Sequence, residues 1–250
     1  MCKIGDKIVR ATFESTVRII CDAPPNADIN QAFKISVSLN GKNWVDTGKK
    51  FSYFDMAEID TMTPQSGPMA GGTEIYLHGQ KFSNITEHGK ALCKFSQVLE
   101  GKANPDHVVF PKVIPAYYLN ETTVMCASPN GFAGGDQAYV QLTQNGKDFT
   151  SQSPGIVFSL YNVQGSFPRS GPADSFDETI LIRGSGFKGA AATTVCQLNS
   201  TIVPAISVTP EEIKCPMATS NKDPSATGYV KFSVKIEGSW VEFSDFFYYD

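Results

Sequence analysis

The sequence predicts an all-β protein built of three tandem sandwich repeats, and three observations lead to this prediction. Apolar residues alternate with polar ones over short segments, as at Phe33, Ile35 and Val37, which is the period of a half-buried strand. No window of helical length shows the apolar period of an amphipathic helix. Cysteines, turn signals and closing aromatic segments recur in the same order along the chain, which is the signature of internal repeats.

The repeats occupy residues 1–55, 56–161 and 162–250, and each contains one pair of cysteines. The second cysteine of every pair ends a similar apolar segment and is followed at a similar distance by a turn signal, namely Asn40-Gly41, Asn145-Gly146 and Glu237-Gly238. Asn-Gly between alternating strands predicts a tight hairpin turn of type I′. Each repeat then closes on an aromatic strand, which contains Phe51, Phe158 or Phe247.

The second and third repeats also share their opening segments. Pro64-Gln65-Ser66-Gly67-Pro68 corresponds to Pro168-Arg169-Ser170-Gly171-Pro172, and the spacing of Ile75, Leu77, Gly79 and Phe82 is repeated at Ile180, Ile182, Gly184 and Phe187. We expect Gly79 and Gly184 where a strand ends in a bend. The first repeat opens directly at its cysteine and lacks this segment, so we expect an incomplete sandwich.

An incomplete sandwich exposes unpaired strand edges and half of a core. We therefore expect the missing strands to come from preceding residues of the same polypeptide, in a longer head-to-tail array of similar repeats. Short linkers at residues 55–58 and 161–164 would set the bends of such a rod.

The recurring positions resemble the IPT/TIG domain, the immunoglobulin-like module of plexins, Met-type receptors and some transcription factors. The matching residues are Pro64, Gly67, Gly71, Gly72, Thr73, Ile75, Leu77, Gly79, Phe82, Cys93, Cys126 and the closing aromatic strand. The resemblance covers the second repeat in full, the third with a weaker start and the first as a C-terminal portion. It implies a sandwich of two sheets in each complete repeat.

Six cysteines permit 15 disulfide pairings, and the repeat favours one of them: Cys2 with Cys21, Cys93 with Cys126, and Cys196 with Cys215. The resemblance supports this choice, because extracellular members of the family carry a cysteine pair at these places. The alternative is a set of reduced cysteines that pack as small apolar residues. Closed bridges would indicate an oxidising compartment, and hence an extracellular or cell-surface location.

Three triplets have the form of N-glycosylation acceptors, at Asn84, Asn120 and Asn199. All three fall beside predicted strand ends or in predicted loops, where a bulky glycan can be accommodated. The alternative is that these asparagines are simply solvated loop residues.

Composition and motifs argue against several classes of function. With a formal net charge of -4 and 18% charged residues, the chain lacks the basic surface that nucleic acid requires. Its apolar runs are much shorter than the roughly 20 residues that cross a bilayer, so we expect no membrane insertion of this segment. No Cys-x-x-Cys zinc motif or nucleophile elbow occurs, and no cofactor or metal site is predicted.

One glycine-rich segment, Gly184-Ser185-Gly186-Phe187-Lys188-Gly189, has the form of a dinucleotide-binding loop. Such a loop must open a helix, whereas the residues that follow read as a strand. A bend at a strand end is therefore the favoured interpretation, and the chain is predicted to be non-enzymatic.

The leading functional hypothesis is a structural or adhesive segment of a long extracellular surface or filament-forming protein made of tandem immunoglobulin-like modules. Its partners would be neighbouring repeats of the same chain, other copies in a fibre, and N-linked glycans. The alternative is a ligand-binding ectodomain fragment of a plexin-like or Met-like receptor. An intracellular transcription factor is disfavoured by the cysteine pairs.

Overall fold

The computed structural model describes residues 1–25, 31–83, 91–98, 110–172, 179–189, 191–217, 228–243 and 245–249. The described residues form strands, turns and loops and contain no helix, which confirms the all-β prediction. The chain divides into two compact units, Met1–Met56 and Ala57–Asp250. The second unit contains the second and third repeats.

The strands of the first unit are β1 (Cys2–Ile4), β2 (Lys7–Val9), β3 (Ala11–Ser15), β4 (Arg18–Cys21), β5 (Ala32–Val37) and β6 (Val45–Ser52). Those of the second repeat are β7 (Glu58–Thr63), β8 (Ser66–Pro68), β9 (Glu74–Gln80), β10 (Leu92–Gln97), β11 (Lys112–Asn120), β12 (Thr123–Ala127), β13 (Gln137–Thr143) and β14 (Val157–Phe167). The third repeat adds β15 (Ser170–Pro172), β16 (Thr179–Ser185), β17 (Val195–Leu198), β18 (Thr201–Pro204), β19 (Ser207–Val208), β20 (Glu212–Pro216), β21 (Gly228–Val230), β22 (Phe232–Ile236), β23 (Ser239–Glu242) and β24 (Phe246–Tyr249).

The second repeat is a complete sandwich of two sheets. One sheet has the order β7-β9-β12-β11, and the other has the order β11-β10-β13-β14, with β8 pairing in parallel with β14. Strand β11 takes part in both sheets, because residues 112–115 pair with β10 whereas residues 116–120 pair with β12. The alternating apolar residues of both sheets meet in one core that includes Ile75, Leu77, Phe95 and Phe158.

The third repeat has the same plan. Strands β14, β16, β20 and β19 form one sheet, and β18, β17, β22 and β23 form another, while β24 pairs with β15 and β21. Its core includes Ile180, Ile182, Phe232 and Val234. The segment that passes between the sheets is divided here into β18 and β19, just as it is divided into β2 and β3 in the first unit.

The first unit has the later strands of this plan but not the opening ones. Its sheets have the orders β2-β1-β5-β6 and β3-β4, and its described residues include no counterparts of β7, β8 and β9. Among these described residues only Cys2, Ile4 and Ser38 are buried. The prediction of an incomplete first sandwich is therefore confirmed.

Two local predictions are wrong, one because strand pairing distant in sequence overrides it and one because asparagine side chains bond to the neighbouring backbone. Residues 161–164 form no linker but lie inside the continuous strand β14. The Asn-Gly pairs of the first two repeats do not form two-residue turns: the side chains of Asn40 and Asn145 each accept two backbone hydrogen bonds, all at 2.9 Å, and hold longer loops. Only the third repeat has both central residues at positive φ, 45° for Glu237 and 94° for Gly238, as type I′ requires.

The role of Gly79 and Gly184 also differs from the predicted bend at a strand end. Both lie opposite a β-bulge, where β7 approaches β9 and β14 approaches β16. A β-carbon at Gly79 would lie 1.9 Å from the carbonyl oxygen of Glu58, and one at Gly184 would lie 2.1 Å from that of Asn162. Glycine is therefore required because two backbones come into contact, not because of an unusual φ.

We predict that Gly79→Ala destabilises the second unit by about 1–3 kcal/mol or more, because the methyl group forces β7 away from β9. Chemical denaturation of the chain measures this change. Gly155→Ala is the matched control, since a β-carbon there meets only Ser153 Oγ, at 3.8 Å. Equal stability of the two variants would contradict this explanation.

Candidate functional site: the junction between the second and third repeats

Each cysteine pair forms a disulfide that joins the two sheets of its own repeat. The Cα–Cα distances are 6.3 Å for Cys2–Cys21, 6.4 Å for Cys93–Cys126 and 5.9 Å for Cys196–Cys215, within the usual range for disulfides. The two bridges of the second unit are completely buried. No cysteine of the chain is free.

Two of the three glycosylation acceptors lie in the described part of the chain. Asn120 is exposed at the end of β11, and its side-chain oxygen accepts hydrogen bonds from the backbone and the hydroxyl of Thr122, both at 2.9 Å. Asn199 is exposed in the turn between β17 and β18 at a φ of 53°. Asn84 lies outside the described residues.

Strand β14 carries the second repeat directly into the third. Residues 157–161 pair with β13 and β8, and residues 162–167 pair with β16. Tyr161 marks the change, because its carbonyl accepts a hydrogen bond from Met69 at 2.8 Å in the second repeat, whereas its ring is buried in the core of the third. That ring packs against Phe187, with 6.0 Å between the ring centroids. The backbone of Tyr161 is thus hydrogen-bonded within the second repeat, whereas its side chain belongs to the core of the third repeat.

A glycine-rich loop reinforces this connection from the side. The amide of Gly135 donates to the carbonyl of Leu160 at 2.7 Å, and the amide of Leu160 donates to the carbonyl of Asp136 at 2.9 Å. A β-carbon at Gly134 would lie 2.5 Å from both Asn162 Cβ and Ser185 Oγ. The loop of the second repeat therefore lies in direct contact with the opening sheet of the third.

The glycine-rich segment 184–189 forms the opposite side of this contact. Gly186 has a φ of 77°, and a β-carbon there would lie 2.5 Å from the carbonyl oxygen of Leu160 and 2.6 Å from the amide nitrogen of Gly135. A side chain at this position would push the two repeats apart. The motif that resembles a nucleotide-binding loop thus has a packing role at the junction.

Three buried polar atoms near the junction lack a hydrogen-bond partner among the described residues: Tyr161 Oη, Thr194 Oγ1 and Glu237 Oε2. Burial, and secondarily the negative charge of Glu237, raises the pKa of Tyr161 well above its usual value. Tyr161 therefore stays neutral in the folded protein even in alkaline solution. The hydroxyl carries a desolvation cost that no hydrogen bond within this region offsets.

One protein-family model matches two of the three repeats of the chain. The model of the IPT/TIG domain matches residues 57–158 and 162–249. The chain therefore belongs to the IPT/TIG family, whose domains are non-catalytic immunoglobulin-like modules that mediate contacts between proteins. The resemblance of the second and third repeats is thereby confirmed, and that of the first repeat stays a prediction.

Solved structures with a similar arrangement include two models of the plexin A4 extracellular region, one of domains 1 to 8 and one of domains 1 to 10. They show 15% and 14% identity and TM-scores of 0.36 and 0.40, and the match covers 85% and 86% of this chain but only 20% and 17% of theirs. SGBP-B from a xyloglucan utilization locus in Bacteroides uniformis matches at 13% identity and a TM-score of 0.29, over 78% of this chain and 50% of its own. Comparison with curated proteins gives no match.

The described residues lack two kinds of functional feature. They contain no group of three or more His, Cys, Asp or Glu side chains that could hold a metal ion. Nor do they form a helix that is long and apolar enough to cross a membrane.

Sequence reasoning identified the cysteines and the repeat starts but missed the junction. Gly134 and Gly135 carry no local signal, since their role depends on β14 and on the end of β16, which are distant in sequence. Gly186 stands out in the sequence only as part of the glycine-rich segment 184–189. Tyr161 offered one usable signal: it stands where the second repeat has Ala57, at the same distance before the shared Pro-x-Ser-Gly-Pro segment, and a large aromatic at that position needs a core to enter.

We predict that Gly134→Ala weakens the junction, because its methyl group meets the backbone nitrogen of Asn162 at 2.9 Å as well as two side chains. Hydrogen exchange at the amides of Gly135 and Leu160 should become at least tenfold faster. Gly165→Ala is the control, because Gly165 lies on β14, the strand that the loop contacts, but its β-carbon would be 4.0 Å from the nearest atom. Unchanged protection in Gly134→Ala would show that the loop does not hold the repeats together.

Tyr161→Phe tests the unpaired hydroxyl through the pH dependence of stability. The folded-state pKa of Tyr161 is raised, so the unfolded chain ionises first. With respect to this group, the free energy of unfolding is constant below about pH 10 and falls as the pH rises further. Tyr161→Phe should be as stable as the wild type at pH 7, or more stable by up to about 1 kcal/mol, and should lose less stability between about pH 9 and pH 11. Tyr229→Phe, at an exposed position, should keep the wild-type dependence; an identical alkaline loss in all three proteins would refute the assignment.

Proposed function

We propose that this chain is a non-enzymatic structural or adhesive segment of a long extracellular surface or filament-forming protein. The observation that carries the proposal is the junction at β14, where one strand runs through two repeats and a glycine loop packs against it. Such a connection transmits tension from one module to the next through backbone hydrogen bonds rather than through a flexible linker. This property suits a protein that spans distance or bears load.

The disulfides support the same proposal. In each repeat the disulfide joins two facing sheets. The sheets therefore cannot separate fully when the chain is under tension, because the covalent bond between them remains. The cysteine separations of 19, 33 and 19 residues correspond to a gain of about 3–4 kcal/mol per bridge in the chain-entropy model. Bridges of this kind persist in oxidising compartments, which favours a location outside the cell or at its surface. We further propose that Asn84, Asn120 and Asn199 carry N-linked glycans there.

Neighbouring repeats and further copies of the chain are the proposed partners in a fibre. A specific observation also supports the alternative of a ligand-binding receptor ectodomain. Tyr229 and Phe247 form an exposed aromatic pair on β21 and β24, with ring centroids 5.0 Å apart, and Tyr249 is exposed on the same strand as Phe247. Aromatic residues are enriched in protein interfaces, so this surface could receive a protein ligand or the next subunit.

Experiments on the native protein distinguish the structural function from the receptor function. We predict that an antibody raised against residues 1–250 labels unpermeabilised cells or their surroundings, and that the purified antigen forms extended rods or fibres in negative-stain images. Glycosidase treatment should lower its mass. Labelling that requires permeabilisation would contradict the proposed location. Compact particles that are released from membranes only by detergent would instead favour the receptor.

A further inference from the structure

We propose that the outer face of the β7-β9-β12-β11 sheet binds the N-linked glycan of Asn120, with the first sugar ring packed on Tyr117. The surface consists of Tyr117, Met125 and Tyr76, which we call the Tyr117 row. This inference rests on the glycosylation of Asn120 proposed above and adds the surface that the sugar contacts.

The Tyr117 row crosses three neighbouring strands. Tyr117 lies opposite Met125, and Met125 lies opposite Tyr76. Ile75 and Leu77, which flank Tyr76 on β9, are buried in the core, so alternation places the row on the outer face of the sheet. Tyr117 is 56% exposed, and the other two members are partly exposed. Apolar surface therefore remains accessible along this row.

A β-bulge turns Asn120 to the same face. Tyr118 packs against the core, and simple alternation from it would point Asn120 inward as well. The register shifts between these two residues, however, so that Asn120 lies opposite Thr123, whose neighbour Val124 is buried in the core. A bulge re-aims a side chain in this way. Asn120 thus stands one row from Tyr117, about 7 Å along the sheet, which a single sugar ring can span.

The turn after β11 fixes the side chain that carries the sugar. The Oδ1 atom of Asn120 accepts hydrogen bonds from the amide and the hydroxyl of Thr122, both at 2.9 Å. The turn is also held by the end of β9, because the amide of Gly79 donates to the carbonyl of Thr122 at 3.1 Å. With Oδ1 engaged, Nδ2 is left for the sugar. A ring attached to so constrained a side chain loses little further freedom when it packs.

The other repeats show that this turn does not require asparagine. Ser15 occupies the place of Asn120 in the first repeat, and its hydroxyl accepts a hydrogen bond from the amide of Val17 at 3.4 Å. Thr209 occupies that place in the third repeat, and its hydroxyl accepts from the amide of Glu212 at 3.0 Å. A hydroxyl therefore suffices to hold the turn.

The position of Tyr117 differs between the repeats in the same way. Thr12 takes this position in the first repeat, opposite Ile20, and Ser207 takes it in the third, opposite Lys214. The aromatic residue thus occurs in the repeat that has a glycosylation acceptor at the turn. The other two repeats have a small hydroxyl residue there and no acceptor.

The chemistry of a sugar ring suits this surface. A pyranose ring presents a face of C–H groups, whereas the face of an aromatic ring is electron-rich. Stacking the two faces removes apolar surface from water and leaves the sugar hydroxyls solvated. A glycan on Asn120 is also tethered one row away, which gives it a high local concentration at Tyr117. A separate molecule has no such advantage.

The direct test observes the sugar on the full chain of residues 1–250, secreted by a glycosylating eukaryotic host. Asn84→Gln and Asn199→Gln leave Asn120 as the one acceptor, and an endoglycosidase trims its isotope-labelled glycan to the first sugar. We expect nuclear Overhauser effects between this sugar and the Tyr117 ring, and sugar protons shifted upfield by the ring current. Both signals should be lost in Tyr117→Thr, which has the residue type of Thr12.

Hydrogen exchange provides the energetic test. The amides of β11 and β12 should exchange about fivefold more slowly with the sugar than in sugar-free protein, made in the oxidising bacterial periplasm so that the bridges form. This difference should vanish in Tyr117→Thr and persist in Val113→Thr. Val113 is the matched control, because it is 49% exposed on the same strand but lies in the half that pairs with β10.

Mass spectrometry of the native peptide that contains Asn120 separates this inference from the proposed function. A bare Asn120 there contradicts the proposed native glycan, whereas the secreted protein decides whether the sugar packs on Tyr117. The inference is overturned if the sugar does not contact Tyr117, if it slows exchange equally in the wild type and Tyr117→Thr, or if Asn120 stays bare in the secreted protein too. Self-association that Tyr117→Thr abolishes, without a sugar contact, would instead assign the row to a second copy of the chain.

Discussion

The covalent link between two facing sheets is the constraint on which the rest of each repeat depends. In all three repeats one cysteine lies on the strand that begins the second sheet and its partner lies on a strand of the first sheet: β1 and β4, β10 and β12, β17 and β20. The residues between the cysteines must therefore pass from one sheet to the other within a short distance. This requirement explains why β11 belongs to both sheets and why its counterparts divide into two short strands.

The way in which the repeats are joined follows from a second constraint, the close approach of backbones. In the second repeat a bulge brings β7 against Gly79 of β9, and in the third repeat a bulge brings β14 against Gly184 of β16. In the third repeat this first strand is the continuation of the last strand of the second repeat. The closing strand of one sandwich thereby becomes the opening strand of the next, and Gly134 and Gly186 allow the remaining loops to pack against it.

Much of this architecture could be predicted from the sequence, because its signals are local and repeated. Alternating apolar residues such as Phe33, Ile35 and Val37 identify strands, and the matching openings at Pro64 and Pro168 identify complete repeats. The Asn-Gly pairs were misleading, since Asn40 and Asn145 use their side chains to hold loops rather than to form type I′ turns. The junction could not be predicted, because the roles of Gly134, Gly186 and Tyr161 exist only once distant segments have been brought together.

Disulfide mapping of the native protein tests most directly the central claim that one bridge within each repeat clamps its two sheets. The protein is alkylated under denaturing conditions without reduction, digested and analysed by mass spectrometry. The account predicts that none of these six cysteines is alkylated and that three crosslinked peptide pairs are found among them, joining Cys2 to Cys21, Cys93 to Cys126 and Cys196 to Cys215. Alkylation of these cysteines before reduction, or a bridge between different repeats, would contradict it.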